Sequence, residues 1–325
     1  MRIIFPALII LTIILFSLDI AVGSTSIPLP QVWSALTGGD CPPAVARIVV
    51  NIRLIKAIVA LLAGAAVSVS GLQMQTLFRN PLAGPYVLGI SSGASLGVAV
   101  FLLGAPLFGL SPALSSLGIA GAAWIGSAVV LMIVGALASR IKDIMVILIL
   151  GMMFSSGISA VVQILQYLSR DESLKAFVIW TMGSLGDVTF SQLCILLPAV
   201  IAGLLLAVIT IKPLNLLLFG EEYARTMGLR IKRSRALLFL STTLLAGTVT
   251  AFCGPIGFIG LAMPHVTRMI FRTSDHRILV PGTLLSGAAI LLLCDIISRL
   301  LTLPVNSITA LLGIPIVILV VLRTR

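Results

Sequence analysis

The chain has 325 residues, of which 59% are hydrophobic and only 10% are charged. A soluble domain carries about 25% charged residues, so this composition excludes a soluble protein, and uniformly apolar runs of about 20 residues exclude a β-barrel of short alternating strands. The net charge of +11 comes without a basic patch interleaved with aromatic residues for stacking on bases, so we expect no nucleic acid partner and attribute the charge to membrane topology.

Ten apolar segments predict an all-α polytopic membrane protein with about ten transmembrane helices in a single domain, residues 1–325. The first segment, which follows Arg2, is also compatible with a signal peptide cleaved near Gly23, but the polytopic remainder favours an uncleaved first span. The boundaries are soft where Gly and Pro interrupt a segment, notably at residues 254–257. The segments lie near residues 3–22, 54–77, 87–107, 114–138, 144–168, 191–211, 236–253, 255–271, 279–302 and 306–322.

The distribution of Lys and Arg predicts the orientation of these spans. With the N-terminus in the cytoplasm and ten alternating spans, 15 of the 21 basic residues lie on the cytoplasmic side. That side then carries the whole net charge of +11 and the opposite side is neutral, as the positive-inside rule requires. We therefore expect both termini in the cytoplasm.

Residues 68–97, which join the second and third segments, contain a clear interruption of helix. A helix rich in small residues runs into the polar motif FRNP at 78–81, and a segment rich in Gly and Ser follows. Pro81 and Pro85 cannot donate backbone hydrogen bonds and disfavour helix just before them. In hydrocarbon such backbone is tolerated only where protein covers it or where it lines a wet path. The stretch is therefore either a connection at the membrane surface or part of a conduit.

The sequence contains no constellation with catalytic spacing. It has no glycine loop ending in Lys-Ser or Lys-Thr, so the chain cannot be its own P-loop ATPase. The four cysteines and two histidines lack the spacing of a metal site, and we expect none. Buried charges are expected to be nearly absent, which disfavours an ion-coupled transporter. Asp295, four residues before Arg299, is interpreted as half of a local ion pair.

Residues 219–230 have the character of a short helix on the cytoplasmic side. The segment is amphipathic, carries two acidic residues near its start and reaches a glycine near its end. One interpretation is a solvated interfacial helix. The other is a docking helix for a partner that supplies the energy source that the chain lacks.

Three blocks make the sequence resemble the iron-chelate, haem and vitamin B12 permease family of binding-protein-dependent ABC importers. They are RLIK at 53–56 with FRNPLA at 78–83 and LGIS at 88–91; GEEYA at 220–224 with Met227-Gly228; and GPIGFIGL at 254–261 with Pro264-His265, Asp295 and Arg299. The resemblance covers nearly the whole chain. It implies the type II ABC importer permease fold in the bacterial inner membrane, and a subunit that performs no covalent chemistry and holds no cofactor.

The resemblance also implies an assembly and a substrate class. The assembly is a homodimer with two cytoplasmic ATPase subunits, which bind ATP and Mg, and a periplasmic or lipid-anchored substrate-binding protein. The substrate is an iron chelate, either a ferric siderophore or haem. Cobalamin is the alternative within the family, and an ion-coupled secondary transporter is the alternative class.

Roles for individual residues follow from their match to the family's motifs. ATPase coupling is assigned to Gly220, Glu221, Glu222, Ala224, Arg225, Met227 and Gly228, and the cytoplasmic gate to Asn80 and Leu82 and, more loosely, to Lys142, Asp143 and Ile144. Docking of the binding protein is assigned to Arg53, Lys56 and Arg299, with anchoring of helix ends at lipid headgroups as the alternative. Pathway lining is assigned to Gln163 and Gln166, with hydrogen bonding between packed helices as the alternative.

Two residues depart from the family pattern. Lys56 stands where family members usually have a second arginine, which weakens any bidentate grip on a carboxylate. Asn306 stands where they usually have glycine, and the sequence offers no account of that change.

Overall fold

A computed structural model describes residues 3–23, 25–104, 116–141 and 143–323. Within these ranges the chain is helical and contains no strand. The helices are α1 (Ile4–Ala21), α2 (Leu29–Thr37), α3 (Pro43–Ile48), α4 (Ile55–Leu77), α5 (Ile90–Ala99), α6 (Ser116–Arg140), α7 (Ile144–Leu168), α8 (Asp171–Thr181), α9 (Phe190–Ile209), α10 (Ile211–Leu217), α11 (Glu221–Thr226), α12 (Ile231–Thr242), α13 (Thr248–Cys253), α14 (Ile259–Phe271), α15 (His276–Leu301) and α16 (Val305–Arg323). Turns of π-helix join α3 to α4 (Val49–Leu54), extend α5 (Val100–Gly104) and join α12 to α13 (Thr243–Gly247).

Seven helical stretches in the described residues are long and apolar enough to cross a membrane. They are Ile4–Ala21, Pro43–Leu77, Gly118–Ala138, Ile144–Leu168, Phe190–Ile209, Ile231–Cys253 and His276–Leu301. Two shorter apolar helices, Ile90–Gly104 and Val305–Leu319, and α14 stand at the three remaining predicted segments. The prediction of a polytopic all-α protein with about ten transmembrane helices is confirmed.

Helix α4 occupies the centre of the fold, with 20 of its 23 residues buried. A Cβ atom at Gly64 would collide with the carbonyl oxygen of Gly287 in α15, and one at Gly71 would collide with that of Gly260 in α14. Because only glycine leaves room for this backbone contact, α4 packs directly on both helices. The helix therefore runs as a tightly held element from the RLIK motif at one end to the FRNP motif at the other.

Helices α5 and α6 form a second close pair. A Cβ atom at Gly93 would meet the carbonyl oxygen of Gly126, and one at Gly97 would meet that of Ala122. Such backbone-to-backbone packing leaves little freedom for one helix to move without the other.

The two longer polar connections, residues 23–53 and 212–235, contain short helices, of which the sequence analysis predicted only the one at 219–230. Pro at the first turns of α2 and α3 fixes φ where the backbone N–H has no helical partner. The predicted coupling helix at 219–230 is shorter in the structure, where α11 covers only six residues. Gly220 (φ 99°) and Gly228 (φ 85°) flank it, and their left-handed backbone ends the helical path on both sides.

Candidate functional site

Helix α11 presents an apolar and acidic face to the outside of the subunit. Phe219, Tyr223 and Met227 are all more than half exposed, and the rings of Phe219 and Tyr223 lie 5.5 Å apart between centroids. Ala224, on the opposite side, is fully buried and anchors the helix in an apolar cluster. Exposed large apolar groups gathered on a short, anchored helix are typical of a protein interaction site.

The two acidic residues that begin α11 point in different directions. The Glu222 side chain is 87% exposed and lies 3.5 Å from the Arg225 guanidinium, whose side chain is 57% exposed. The Glu221 side chain is only 17% exposed and accepts two hydrogen bonds from Arg235, at 2.9 Å from Nε and 2.6 Å from Nη2. Glu222 is therefore available to a partner, whereas Glu221 is engaged inside the chain.

The FRNP motif forms a tight turn directly after α4. Arg79 adopts a left-handed conformation (φ 47°), and Asn80 Oδ1 accepts a hydrogen bond of 2.9 Å from the backbone N–H of Leu82. His265 Nε2 lies 2.8 Å from the carbonyl oxygen of Pro81 and fastens the turn to α14. The Leu82 side chain is half exposed. The structure thus brings Asn80 and Leu82 into one fixed turn, while their role in a gate stays a prediction.

The other residues assigned to the gate lie where α7 begins. Asp143 Oδ1 accepts a hydrogen bond of 2.8 Å from the backbone N–H of Met145 and caps α7. Ile144 packs on the apolar cluster that also contains Phe78 of the FRNP motif and Ala224 of α11. Lys142 lies outside the described residues. Both candidate gate elements therefore contact the same apolar cluster as α11.

Gln163 and Gln166 of α7 line a cavity of about 430 Å³ that α5, α7 and α8 enclose. Five serines of α5 and α7 contribute hydroxyl groups to the same cavity, and no described lining residue carries a charge. These serines are Ser91, Ser92, Ser95, Ser155 and Ser159. The sequence analysis had not associated these serines with the two glutamines. The three on α5 reach the cavity only because α5 packs on α7, whereas Ser155 and Ser159 lie on the same helix as the glutamines.

At the opposite end of α4 the Arg53 guanidinium is buried among backbone carbonyl groups. Nη1 donates to the carbonyl oxygens of Ile20 (3.2 Å) and Ala21 (2.8 Å), and Nη2 donates to that of Thr25 (2.6 Å). A Cβ atom at Gly23 would collide with the guanidinium. Arg53 therefore holds the chain that leaves α1.

The other two predicted docking residues share buried carboxylates. Lys56 Nζ lies 3.0 Å from Asp295 Oδ1, and Arg299 Nη2 lies 2.7 Å from Asp295 Oδ2 and 3.1 Å from Asp19 Oδ1. The predicted local pair between Asp295 and Arg299 is confirmed. It is a buried ion pair and not a surface one, because Asp295 and its neighbour Asp19 are almost completely buried. The outer cluster, as we name Asp19, Arg53, Lys56, Asp295 and Arg299, ties α1, α4 and α15 together.

The outer cluster corrects the expectation that buried charges are nearly absent. They are present, but they lie near the ends of α1, α4 and α15 rather than midway along a helix. The three cations do come together as predicted, beside a cavity of about 540 Å³. All three are engaged within the chain, so their docking of a binding protein stays a prediction.

The sequence analysis missed two members of the enclosed ion pairs, Asp19 and Arg235. Asp19 could have been singled out as the only acidic residue of the first span, whereas nothing distinguished Arg235 from the neighbouring basic residues. The departure at Asn306 also has a structural explanation: its Oδ1 accepts a hydrogen bond of 3.0 Å from the backbone N–H of Gly257. That bond ties the start of α16 to the GPIG segment, which a glycine side chain could not do.

A multi-pass helical fold with a neutral polar cavity and an exposed apolar and acidic face on α11 is the architecture of a transport permease. A model of the FecCD transport family matches residues 10–323, and the chain belongs to that family. The match covers both ends of α4, the cavity and α11.

Curated relatives transport several substrates. The chain is 37% identical to the hemin transport system permease HmuU of Yersinia pestis, over 100% of this chain and 96% of that protein. It is 35% identical to the ferric enterobactin permease FepD of Escherichia coli, over 98% and 94% of the two chains. It is 39% identical to the vitamin B12 permease BtuC of Klebsiella pneumoniae, over 85% and 82%.

A solved structure described as an inward-facing conformation of a metal-chelate type ABC transporter has the same fold. It superposes with a TM-score of 0.86 at 28% identity and covers 99% of this chain and 100% of its own. The protein is therefore a permease subunit of an ABC importer in the bacterial inner membrane, a transporter component whose class leaves ATP hydrolysis to a separate subunit.

Proposed function

We propose that this permease translocates an iron chelate, either a ferric siderophore or haem, as a homodimer with two cytoplasmic ATPase subunits and an extracytoplasmic binding protein. ATP binding and hydrolysis on the partner move α11, and the membrane helices convert that movement into alternate opening of the path. Both termini lie in the cytoplasm, together with α11 and the FRNP turn.

The exposed face of α11 is the observation that carries the ATPase-driven part of the proposal. Phe219, Glu222, Tyr223 and Met227 project from the subunit, and Ala224 fixes the helix from behind. Apolar groups at the centre of a contact with a charged neighbour at its edge suit a protein partner. We interpret this face of α11 as the binding site for the ATPase subunit.

The outward side of α7 supports a dimer. Only four of its 25 residues are buried within the subunit, yet Ser159 and Gln163 lie on its exposed part. Polar side chains are unfavourable against lipid, so another protein surface or water has to cover them. A second copy placed there would close the cavity into a path lined by hydroxyl and amide groups.

The neutral lining also suits transport rather than storage of the substrate. Hydroxyl and amide groups offer hydrogen bonds to a chelate without a fixed charge that would hold it strongly, and conduction requires binding weak enough for release. An iron chelate is favoured because the haem and enterobactin permeases are similar over almost the whole chain, whereas the vitamin B12 permease aligns over 85% of it. Cobalamin is the alternative.

The test is uptake into proteoliposomes that contain the permease and its ATPase subunit, with the binding protein from the same gene cluster outside. A ⁵⁵Fe hydroxamate, a ⁵⁵Fe catecholate, haemin and cyanocobalamin serve as separate probes. We expect ATP-dependent accumulation of one of the iron-containing probes. Accumulation of cyanocobalamin alone would select the alternative substrate, and accumulation without ATP would contradict the importer class.

A further inference from the structure

The Arg235 guanidinium contacts two elements besides its own helix. Two of its nitrogens grip the Glu221 carboxylate at the start of α11, at 2.9 and 2.6 Å. The third, Nη1, donates a hydrogen bond of 3.0 Å to the carbonyl oxygen of Ile141, the residue directly after α6. One side chain of α12 therefore joins the coupling helix to the carboxyl end of α6.

The planar fork of arginine explains how one residue makes both contacts. A bidentate arginine–carboxylate pair fixes orientation as well as distance, and a third nitrogen remains for another acceptor. The last carbonyl groups of a helix lack partners within the helix, and a cation near them is favourable. Ile141 supplies such a carbonyl, since its own N–H still bonds back to Leu137 of α6.

The contacts of Arg235 are enclosed, and tight packing between α6 and α12 does not provide a second connection beside them. The Arg235 side chain is 7% exposed, so breaking either of its contacts would leave a poorly solvated charge. Between α6 and α12 the apolar side chains leave a cavity of about 250 Å³ beside Arg235, and a second one of about 130 Å³ adjoins Glu221. The guanidinium thus spans a region where the helices themselves are loosely packed.

The far side of the link reaches the substrate cavity. Helix α6 is locked to α5 through the Gly93 and Gly97 contacts, and α5 carries Ser91, Ser92 and Ser95 of the cavity wall. A displacement of α11 transmitted to α6 would therefore be carried to the lining of the path.

We propose that Arg235 is a positioning residue that transmits movement of the coupling helix, through the end of α6, to the α5–α6 pair that lines the cavity. The proposal rests on the proposed ATPase-driven function and adds to it the route of transmission. It concerns the ratio of transport to hydrolysis, because Arg235 is turned away from the exposed face of α11.

The test compares R235Q and R235K with wild type in the complete transporter, reconstituted with its ATPase subunit and binding protein. R233Q is the matched control, because Arg233 lies on the same helix but is exposed. The readouts are ATPase activity, substrate uptake per ATP hydrolysed and thermal stability. We expect R235Q to retain hydrolysis and to lose at least tenfold in uptake per ATP, R235K to show an intermediate loss, and R233Q to match wild type.

The pair E221Q and R235Q gives a second check. If both residues act through one link, the double variant should lose no more in uptake per ATP than the more affected single variant. A proportional fall of hydrolysis, uptake and stability with an unchanged ratio would assign Arg235 a merely structural role and overturn the proposal. Absence of ATP-driven uptake in wild type would instead contradict the proposed function.

Hydrogen–deuterium exchange of the wild-type permease provides a measurement that does not depend on folding of a variant. Binding of the ATPase subunit should change exchange in residues 137–141 as well as in residues 219–228. A change confined to residues 219–228 would show that the signal does not reach α6 and would overturn the proposal.

Discussion

The outer cluster and the Arg235 link both bury charged groups, but they connect the fold differently. The outer cluster joins three cations and two carboxylates between α1, α4 and α15, all of them long apolar helices. The Arg235 link has one pair and holds a six-residue helix whose opposite face is exposed. The difference indicates a fixed clamp at one end of the molecule and a movable contact at the other.

The charge balance sharpens this comparison. Within the outer cluster Arg53 has only carbonyl and hydroxyl oxygens as partners in the described part of the chain, so the cluster keeps one excess positive charge. An acidic partner could be attracted by that excess without any cation leaving its place. At the other end Glu221 and Arg235 neutralise each other. Recognition of the proposed ATPase partner would then depend on the exposed residues of α11.

Removal of Asp295 should break the outer cluster and give the largest effect. In D295N both Lys56 and Arg299 lose a buried carboxylate partner, and loss of one member of a buried pair costs about 3–5 kcal/mol. We expect a marked fall in the thermal unfolding temperature of the detergent-solubilised protein. D40N, at an exposed position, is the control, and equal unfolding temperatures for the two variants would contradict a clamp.

Overpacking of α4 should destabilise the protein, because α4 is the central helix that joins the outer cluster to the FRNP turn. A Cβ atom in G71A would collide with the backbone of Gly260, and overpacking of a dense core costs about 1–3 kcal/mol. G135A is a matched control in α6, because nothing lies within 4 Å of the added Cβ atom. The unfolding temperature of G71A should be lower than that of G135A, and the reverse order would refute close packing at this position.

Substitution of Lys56 should have the smallest effect and test the docking of the binding protein. Lys56 is the most exposed of the three cations, and in K56Q Asp295 still holds Arg299, so folding should be preserved. We expect a several-fold weaker affinity for the binding protein, because a partly exposed ion pair contributes about 1 kcal/mol or less. R47Q changes an exposed cation outside the cluster, and an equal loss in both variants would remove the special role of Lys56.

Most of the fold could be predicted because transmembrane helices are recognisable in a sequence by their length and apolar composition. The ten segments correspond to the observed helices. The helix predicted at residues 255–271 begins four residues late, because Gly254 and Gly257 lie in a non-helical stretch, residues 254–258. The short α8 was missed, since a helix of 11 residues between two spans is too short to show a distinctive periodicity.

The site could be predicted only in part. The family motifs located α11, the FRNP turn and the three outer cations, but they did not reveal which side chains are turned inward. Glu221 and Arg235 are 14 residues apart, and Asp19 and Arg299 are 280 apart, so only the packed structure brings them together. The distinction between an exposed Glu222 and a largely enclosed Glu221 follows from the direction in which α11 is anchored.

Site-specific photo-crosslinking tests most directly which end of the molecule receives the ATPase. A photoreactive phenylalanine analogue would replace Tyr223 of α11 in one variant and Trp33 of α2 in the other, both of which are exposed. In the assembled transporter we predict a crosslink to the ATPase subunit from position 223 and none from position 33. A crosslink from position 33, or none from position 223, would contradict the assignment of α11 as the coupling helix.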